Sequence, residues 1–287
     1  MNRTLECRPD SYQEWYQRGN KLRADGYYHE ALTSYERALN YQPNDYWSWY
    51  RKGIVLEALG HYEEAIDSFA IASAIEPDNY WSWYEQASIH FIEFGEYNRA
   101  ILCFQESIKL RPHDYWATYR IGESYRQLGQ YEQAIHYYNR ALELRPDDFW
   151  AHYRRAEAQQ QQGKLQQALD SYDSALQIEP DDYWAWYQKG GCWQQLGQLK
   201  ESIACYRKAL ELDVRASSAW YARACCHKLL NDNNWAIMCL EQAIDLHPSK
   251  YLRAAEQEHI WFNLRQKKGF RLLIHNKSNV YDLSRSN

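Results

Sequence analysis

The chain has 287 residues, of which 45% are hydrophobic and 25% charged, a balance typical of a soluble folded protein. The net charge of −5 gives no electrostatic reason to expect a nucleic-acid partner. No apolar run approaches the roughly 18 residues of a membrane span, and residues 1–10 lack the apolar core of a signal peptide. Because seven cysteines in so long a chain also favour reduced thiols, we expect a cytoplasmic protein.

The prolines reveal an internal repeat. All seven stand in one register, with successive gaps of 34, 34, 35, 34, 34 and 68 residues, and Val214 takes the place of the proline skipped in the last gap. The prolines are Pro9, Pro43, Pro77, Pro112, Pro146, Pro180 and Pro248. We number positions within seven frames, which are 12–45, 46–79, 80–114, 115–148, 149–182, 183–216 and 217–250.

Small residues and turn residues follow the same register. Positions 8, 20 and 27 are Gly, Ala or Ser in every frame, which lets two consecutive helices approach closely. A glycine closes the first half of six frames, and Asn231 replaces it in the seventh. Glycine or asparagine just past a helix indicates a left-handed C-terminal cap. Each frame therefore predicts helix A, a tight turn, helix B and a proline that ends helix B.

This pattern resembles the tetratricopeptide repeat, in which Trp, Gly or Ala, an aromatic residue or Leu, Ala, Tyr or Phe, Ala and Pro recur over 34 residues. Frame 1 carries Trp15, Gly19, Leu22, Ala31, Tyr35, Ala38 and Pro43, and frame 2 carries Trp49, Gly53, Leu56, Ala65, Phe69, Ala72 and Pro77. The resemblance covers residues 12–250. It implies an all-α fold, a right-handed α-solenoid superhelix of antiparallel helix pairs, and a bacterial scaffold or adaptor as a relative.

The ends and irregular frames give further expectations. Frame 3 has one extra residue before Gly95, which predicts a bulge or a longer A–B turn. Residues 1–11 form a lead-in, and residues 251–264 read as one amphipathic helix that caps the last repeat. Residues 265–287 form a basic tail, which we expect to be loosely ordered.

One face of helix A stands out. At about 100° per residue, positions 2, 6, 9 and 13 share a side of helix A, bordered by position 5. The resemblance implies that this face lines a concave groove where ligands bind. Position 2 is Trp47, Trp81, Trp116, Trp150 and Trp184, and position 5 in the same frames is Tyr50, Tyr84, Tyr119, Tyr153 and Tyr187. The polar candidates are Arg51, Arg120, Arg154, Glu123, Glu157, Gln127, Gln161 and Gln195.

Two interpretations of these residues remain open. The tyrosines either bind a ligand or pack neighbouring helices, as repeated residues commonly do. The tryptophans either bind a partner, as interface hot spots do, or form a structural row covered by arginines one turn away in Trp47/Arg51, Trp116/Arg120 and Trp150/Arg154. The Arg–Glu pairs three residues apart in frames 4 and 5 either serve a ligand or pair internally.

No sequence pattern indicates catalysis. We find no phosphate-binding loop and no Cys/His set with metal spacing, so we expect neither an enzyme nor a cofactor or bound metal. The leading hypothesis is an adaptor that binds a peptide segment of another protein in the groove. The alternatives are self-association, in which the basic tail with Trp261, Phe262 and Phe270 docks into the acidic array of a second copy, and single-stranded nucleic-acid binding by base stacking on tryptophan. The tail carries +5, which leaves −10 on residues 1–264.

Overall fold

A computed structural model describes residues 10–285 of the chain, with side chains described to residue 278. Most of the predicted lead-in, residues 1–11, lies outside this range. The described residues form helices joined by turns and divide into two units, with the division in the chain between Arg145 and Pro146. The predicted all-α solenoid of paired helices is confirmed, since within each unit every helix B packs against the preceding helix A and the following one.

The first unit contains four helix pairs. They are α1 Tyr12–Ala24 with α2 Tyr28–Tyr41, α3 Tyr46–Ala58 with α4 Tyr62–Ile75, α5 Tyr80–Ile92 with α6 Tyr97–Leu110, and α7 Tyr115–Gln127 with α8 Tyr131–Leu144.

The second unit contains three helix pairs and a C-terminal segment. The pairs are α9 Phe149–Gln161 with α10 Leu165–Ile178, α11 Tyr183–Gln195 with α12 Leu199–Leu212, and α13 Ser217–Leu229 with α14 Asn233–Leu246. The segment comprises α15 Pro248–Gln257, a 3-10 turn at His259–Trp261, and α16 Lys268–Arg285.

The local signals in each frame explain these bounds. The first six A helices begin after a Ser, Asp or Asn whose side chain accepts a hydrogen bond from a backbone N–H of the first turn, as Asp45 does from Ser48 N at 2.6 Å. Helix α3 ends in a left-handed cap, in which Gly60 has φ +78° and His61 N–H donates to the Leu56 carbonyl at 2.8 Å. The cap predicted at the asparagine of frame 7 is confirmed, since Asn231 has φ +60°.

The small residue at position 8 meets an aromatic ring of helix B. A methyl group added at Gly53 would lie 2.6 Å from Phe69 Cε1, so the two helices of this pair touch through a glycine and a fully buried phenyl ring. The extra residue of frame 3 lengthens its A–B turn, because four residues separate α5 from α6 where three separate α3 from α4. This confirms the longer turn that the sequence predicts.

The C-terminal segment differs from its prediction. Residues 251–264 do not form one helix: α15 begins earlier, at Pro248, and ends where Glu258 takes an extended conformation with ψ 138°. Arg265 stabilises the break, because its guanidinium donates to the carbonyls of Ala255 at 3.0 Å and Glu258 at 2.5 Å. Within the basic tail, which we expect from composition to be loosely ordered, residues 268–285 form α16, and this helix packs on α14 and α15.

This packing bears on the self-association hypothesis. Trp261 and Phe270, two of its three aromatic side chains, are 0% and 1% exposed in the core of their own unit, together with Leu264 and Leu273. Phe262 is exposed. Lys277 of the tail forms ion pairs with Glu241 at 3.1 Å and Asp245 at 2.5 Å on α14. The basic tail is therefore already neutralised in part within its own chain.

Candidate functional site

The tryptophans at position 2 are exposed in both units. Their exposed fractions lie between 41% and 58%, although bulky apolar side chains are generally buried. Each follows a largely buried aromatic residue and meets it edge to face, as Trp47 meets Tyr46 with ring centroids 5.0 Å apart and planes at 89°. We call Trp47, Trp81 and Trp116 the first tryptophan row, and Trp150 and Trp184 the second.

The tyrosines at position 5 pack within the helix pairs. In frames 2 to 6 each ring contacts the position-24 aromatic of its own helix B, with centroids 5.5 to 5.8 Å apart. Tyr50 and Tyr153 are only 7% and 6% exposed, and burial raises the pKa of both phenols. These contacts favour the packing interpretation of the tyrosines. In frames 2, 4, 5 and 6 the tyrosine also meets the position-2 tryptophan edge to face.

The predicted arginine covers are correct in one frame of three. Arg154 lies over Trp150 at 5.6 Å from the ring centroid. Arg51 instead lies over its neighbour Tyr50 at 5.7 Å, and Arg120 lies over Phe91 of the preceding repeat at 4.9 Å. Residues four apart on a helix can touch, but a long side chain also reaches a neighbouring helix when an aromatic ring lies there.

Of the two Arg–Glu pairs predicted in frames 4 and 5, only the pair in frame 5 is formed. Arg154 donates to Glu157 at 2.7 Å, so the internal pair predicted in frame 5 is confirmed. In frame 4 the partner of Glu123 is Arg126, at 3.1 Å, and Glu123 also accepts from the Tyr138 hydroxyl. Because Glu123 is 7% exposed and held by these contacts, it supports the helix pair and we leave it out of the binding surface.

The amides at position 13 keep their accessibility. Gln127, Gln161 and Gln195 are all exposed at the C-terminal end of their A helices. Amide groups there can donate and accept hydrogen bonds with a passing backbone.

A cleft opens between two tryptophans of the first row. It has a volume of about 580 Å³ and is lined by Trp47, Glu76, Tyr80, Trp81 and Arg111, among others. The Arg111 guanidinium lies 4.2 Å from the Tyr80 ring and 4.8 Å from the Trp81 ring. The sequence prediction missed this contact because Arg111 ends helix B, thirty residues after Trp81. Arg145 lies over Tyr115 and Trp116 in the same way, at 4.3 and 5.3 Å. The signal in the sequence was that an arginine stands immediately before the proline in both repeats.

The position-4 aromatics have a structural role. The indole N–H of Trp49 donates to the Pro43 carbonyl at 2.7 Å, and Trp83, Trp186 and Trp220 repeat the bond to the carbonyl six residues earlier. His152 makes the same contact with Pro146 at 2.8 Å. These side chains satisfy backbone carbonyls of the loops between repeats. They therefore have a structural role, unlike the exposed tryptophans at position 2.

Carboxylates of α3 and α5 lie close together in the first unit. Burial, followed by the nearby Glu57, raises the pKa of Glu85 to about 7, although the Tyr50 hydroxyl donates to Glu85 at 3.2 Å. Burial and then the charge of Glu93 raise the pKa of Glu57. Ionising these carboxyl groups in the folded state is therefore costly.

Because these carboxyl groups are crowded, we expect the contribution of Glu85 to the free energy of unfolding to fall as pH rises. Because the pKa of Glu85 is higher folded than unfolded, the folded state binds more protons between about pH 4.5 and 7, and stability is lost across that window. Glu85→Gln removes the ionisation while its amide oxygen still accepts from Tyr50. We expect it to stabilise the protein by about 2 kcal/mol at pH 8 and to change little at pH 4.

Urea unfolding across this pH range measures the effect. Glu63→Gln, on the exposed face of α4, is the matched control and is expected to leave the pH dependence as in the unmodified protein. A Glu85→Gln profile parallel to that of the unmodified protein would contradict the assignment.

Among residues 10–278, no three His, Cys, Asp or Glu side chains are grouped so that they could hold a metal ion. Within the described helices, none is both long and apolar enough to cross a membrane.

Family models of the tetratricopeptide repeat match most of the chain. The matched segments are 12–45, 34–67, 82–114, 122–163, 149–182, 183–214 and 217–250. A search of curated proteins gives no significant match.

Solved structures share the fold at low identity. The C-terminal part of a TPR repeat-containing protein from Cytophaga hutchinsonii is 17% identical, with a TM-score of 0.70 over 83% of this chain and 98% of that one. YrrB, described as a TPR protein with an unusual peptide-binding site, is 20% identical, with a TM-score of 0.58 over 67% and 99%. MamA is 23% identical, with a TM-score of 0.56 over 59% and 92%. At this identity the likeness concerns the fold.

Proposed function

Because the chain belongs to the tetratricopeptide repeat family, we propose that it is a non-enzymatic adaptor that binds an extended segment of a partner protein on its tryptophan rows. The exposure of the position-2 tryptophans carries the proposal. The family binds other proteins, and YrrB, which shares the fold, is described as having a peptide-binding site. The buried cysteines at repeated core positions, such as Cys205 and Cys239, fit a reducing cytoplasmic location.

Exposed tryptophan side chains are unfavourable in water, and a bound partner that covers them removes this cost. A soluble monomer rarely leaves several large aromatic side chains in water along one surface, since each adds to an apolar patch that promotes association. Trp is among the residues most enriched at interface hot spots. The cleft between Trp47 and Trp81 adds the concavity that a side chain of the partner needs, with Arg111 and Glu76 as polar groups at its wall.

Packing within the protein does not account for these rings. The internal role falls to the position-5 tyrosines and the position-4 aromatics, which bury their rings or satisfy loop carbonyls. The tryptophans at position 2 keep 41% to 58% of their surface exposed, so their truncation removes less internal contact than the loss of a core aromatic residue would.

Peptide selection with paired variants tests the proposal. A displayed library of random linear peptides is panned on the full chain, and selected peptides are measured against Trp47→Ala/Trp81→Ala by fluorescence anisotropy. We expect affinity to fall by about tenfold to hundredfold, as for truncated hot-spot residues. Trp235→Ala is the matched control, because Trp235 on α14 is 45% exposed but belongs to a B helix.

The fold of each variant is checked by circular dichroism. Selected peptides that bind the double variant as tightly as the unmodified protein, or that lose binding only with Trp235→Ala, would overturn the proposed surface. A panning that yields no specific peptide would overturn the adaptor function in its peptide-binding form.

A further inference from the structure

The residue that ends helix B varies in charge between repeats. It is Arg111 in repeat 3 and Arg145 in repeat 4, but Glu76 in repeat 2, Glu179 in repeat 5 and Asp213 in repeat 6. This residue precedes the proline, or Val214 in repeat 6, and it faces the aromatic pair that opens helix A of the same repeat.

Where the residue is arginine, the chain covers its own aromatic pair. Arg111 lies 4.2 Å and 4.8 Å from the rings of Tyr80 and Trp81, and Arg145 repeats the arrangement. A guanidinium over an exposed indole is stabilising by about 0.5–1 kcal/mol, and its planar shape suits stacking better than an ammonium does.

Glu76 has the same backbone placement as Arg111. Its φ and ψ are −125° and 84°, against −130° and 82° for Arg111, and each donates its N–H to the carbonyl four residues earlier. The Glu76 side chain therefore leaves the backbone toward Tyr46 and Trp47, as the Arg111 side chain does toward Tyr80 and Trp81. Its proximity is also seen in Tyr46, whose pKa is raised by burial first and by the Glu76 charge in addition.

The Tyr46–Trp47 pair consequently has aromatic rings and a carboxylate where its neighbours have aromatic rings and a guanidinium. Glu76 accepts from the Asn79 side chain at 3.1 Å, and within residues 10–278 no cation forms an ion pair with it. No cationic side chain of the described chain lies over Trp47. Glu76 and Trp47 both line the cleft of about 580 Å³.

We propose that Tyr46, Trp47 and Glu76 form a slot for the guanidinium of an arginine in the bound partner segment, occupying the place that Arg111 fills beside Trp81. The inference rests on the proposed function and names one recognition element of its ligand. The indole face supplies the cation–π contact, and the Glu76 carboxylate accepts the charge-assisted hydrogen bonds.

The second unit repeats the arrangement. Asp213 ends α12 with φ −135° and ψ 93°, and burial first and the Asp213 charge in addition raise the pKa of Tyr183. Trp184 meets Tyr183 edge to face at 5.0 Å and is 58% exposed. Repeat 5 has Glu179 in this place, but Arg154 of the same repeat lies over Trp150. Trp81 and Trp116 also carry an arginine, so each unit has one position-2 tryptophan, Trp47 or Trp184, that has a carboxylate beside it and no cation of the described residues over its ring.

Titration by NMR tests the slots directly. The probes are two N-acetylated, C-amidated Gly–Ser peptides that differ in one residue, arginine in one and its uncharged isostere citrulline in the other. The readout is the indole N–H signal of each tryptophan, assigned by single Trp→Phe variants of the full chain. We expect the arginine peptide to shift the Trp47 and Trp184 signals, and the citrulline peptide to bind at least about tenfold more weakly.

Two charge variants sharpen the test. Glu76→Arg places a guanidinium where Arg111 stands in repeat 3, so the Trp47 response is expected to vanish while the Trp184 response in the same molecule persists. Arg111→Glu uncovers the Tyr80–Trp81 pair, so Trp81 is expected to gain a response to the arginine peptide.

Three results would each overturn the slot: no shift with the arginine peptide, equal shifts with citrulline, or an unchanged Trp47 response in Glu76→Arg. The titration needs no selected peptide, so its failure is separate from failure of the library selection. Selected peptides that depend on Trp47 and Trp81 but contain no arginine would leave the adaptor function standing and remove the slot.

Discussion

Replacing Trp261 with alanine is expected to lower the free energy of unfolding by about 3–5 kcal/mol, the range for removing a large aromatic side chain from a packed core. The indole is 0% exposed. Its N–H donates to the Tyr221 hydroxyl at 3.0 Å, and its ring packs against Phe270 with centroids 6.1 Å apart. Truncation would leave a cavity at the point where α13, α15 and α16 meet.

The matched control is the next residue in the chain. Phe262 is 53% exposed, so Phe262→Ala is expected to change stability by less than about 0.5 kcal/mol. Urea unfolding followed by circular dichroism measures both variants, and hydrogen exchange should show lost protection first in α13 to α16. Equal effects of the two substitutions would mean that the C-terminal segment does not pack as described.

The repeats could be predicted from the sequence, but the C-terminal segment that contains Trp261 could not. The repeat register predicted the A–B turns, and even the unusual Asn231 cap, because seven copies of one pattern average out local exceptions. Residues 251–264 have no copy to compare. Their apolar spacing suits a single helix, and nothing in that spacing indicates that Arg265 would reach back to the carbonyls of Ala255 and Glu258 and stabilise a break.

The basic tail differs from what its composition suggests for a related reason. Six Lys and Arg against one Asp in residues 265–287 suggest a solvated segment when counted alone. Lys277, however, meets Glu241 and Asp245, which are more than thirty residues away in sequence. Phe270 and Leu273 supply the few core contacts that the segment needs. The composition of the tail alone gives no information about acidic partners on another helix.

The candidate surface could be predicted in part. The helical period placed the position-2 tryptophans on one side of helix A, and the family resemblance implied that this side binds ligands. Their exposure, which the sequence left open, comes from the structure. The helical period could not choose the partners of the arginines, because a guanidinium at the end of helix B reaches helix A only once the pair is folded. Arg111 over Trp81 is such a contact, and it separates the covered tryptophans from the uncovered Trp47.

Helix pairing itself depends on rings such as that of Phe69, and Phe69→Ala is expected to destabilise the protein by about 3–5 kcal/mol. Phe69 is 0% exposed and packs between Tyr50, at 5.6 Å, and the backbone at Gly53. Because the residue at position 53 is glycine, it has no side chain that could move into the space that the phenyl ring leaves. Much of the cavity is therefore expected to persist, which places the cost within this range.

Ile71→Ala gives the matched control, since Ile71 lies two residues away on the same helix and is 39% exposed. Its expected cost is about 1 kcal/mol, well below that of Phe69→Ala, because the side chain is smaller and more than a third of its surface is already in water. Urea unfolding gives the stability, and hydrogen exchange locates the loss, which should begin in α3 and α4. A similar cost for both variants would contradict the glycine-to-phenyl packing. Loss of Trp47-dependent peptide binding in Phe69→Ala but not in Ile71→Ala would tie the tryptophan row to this core, because Tyr50 joins the two rings.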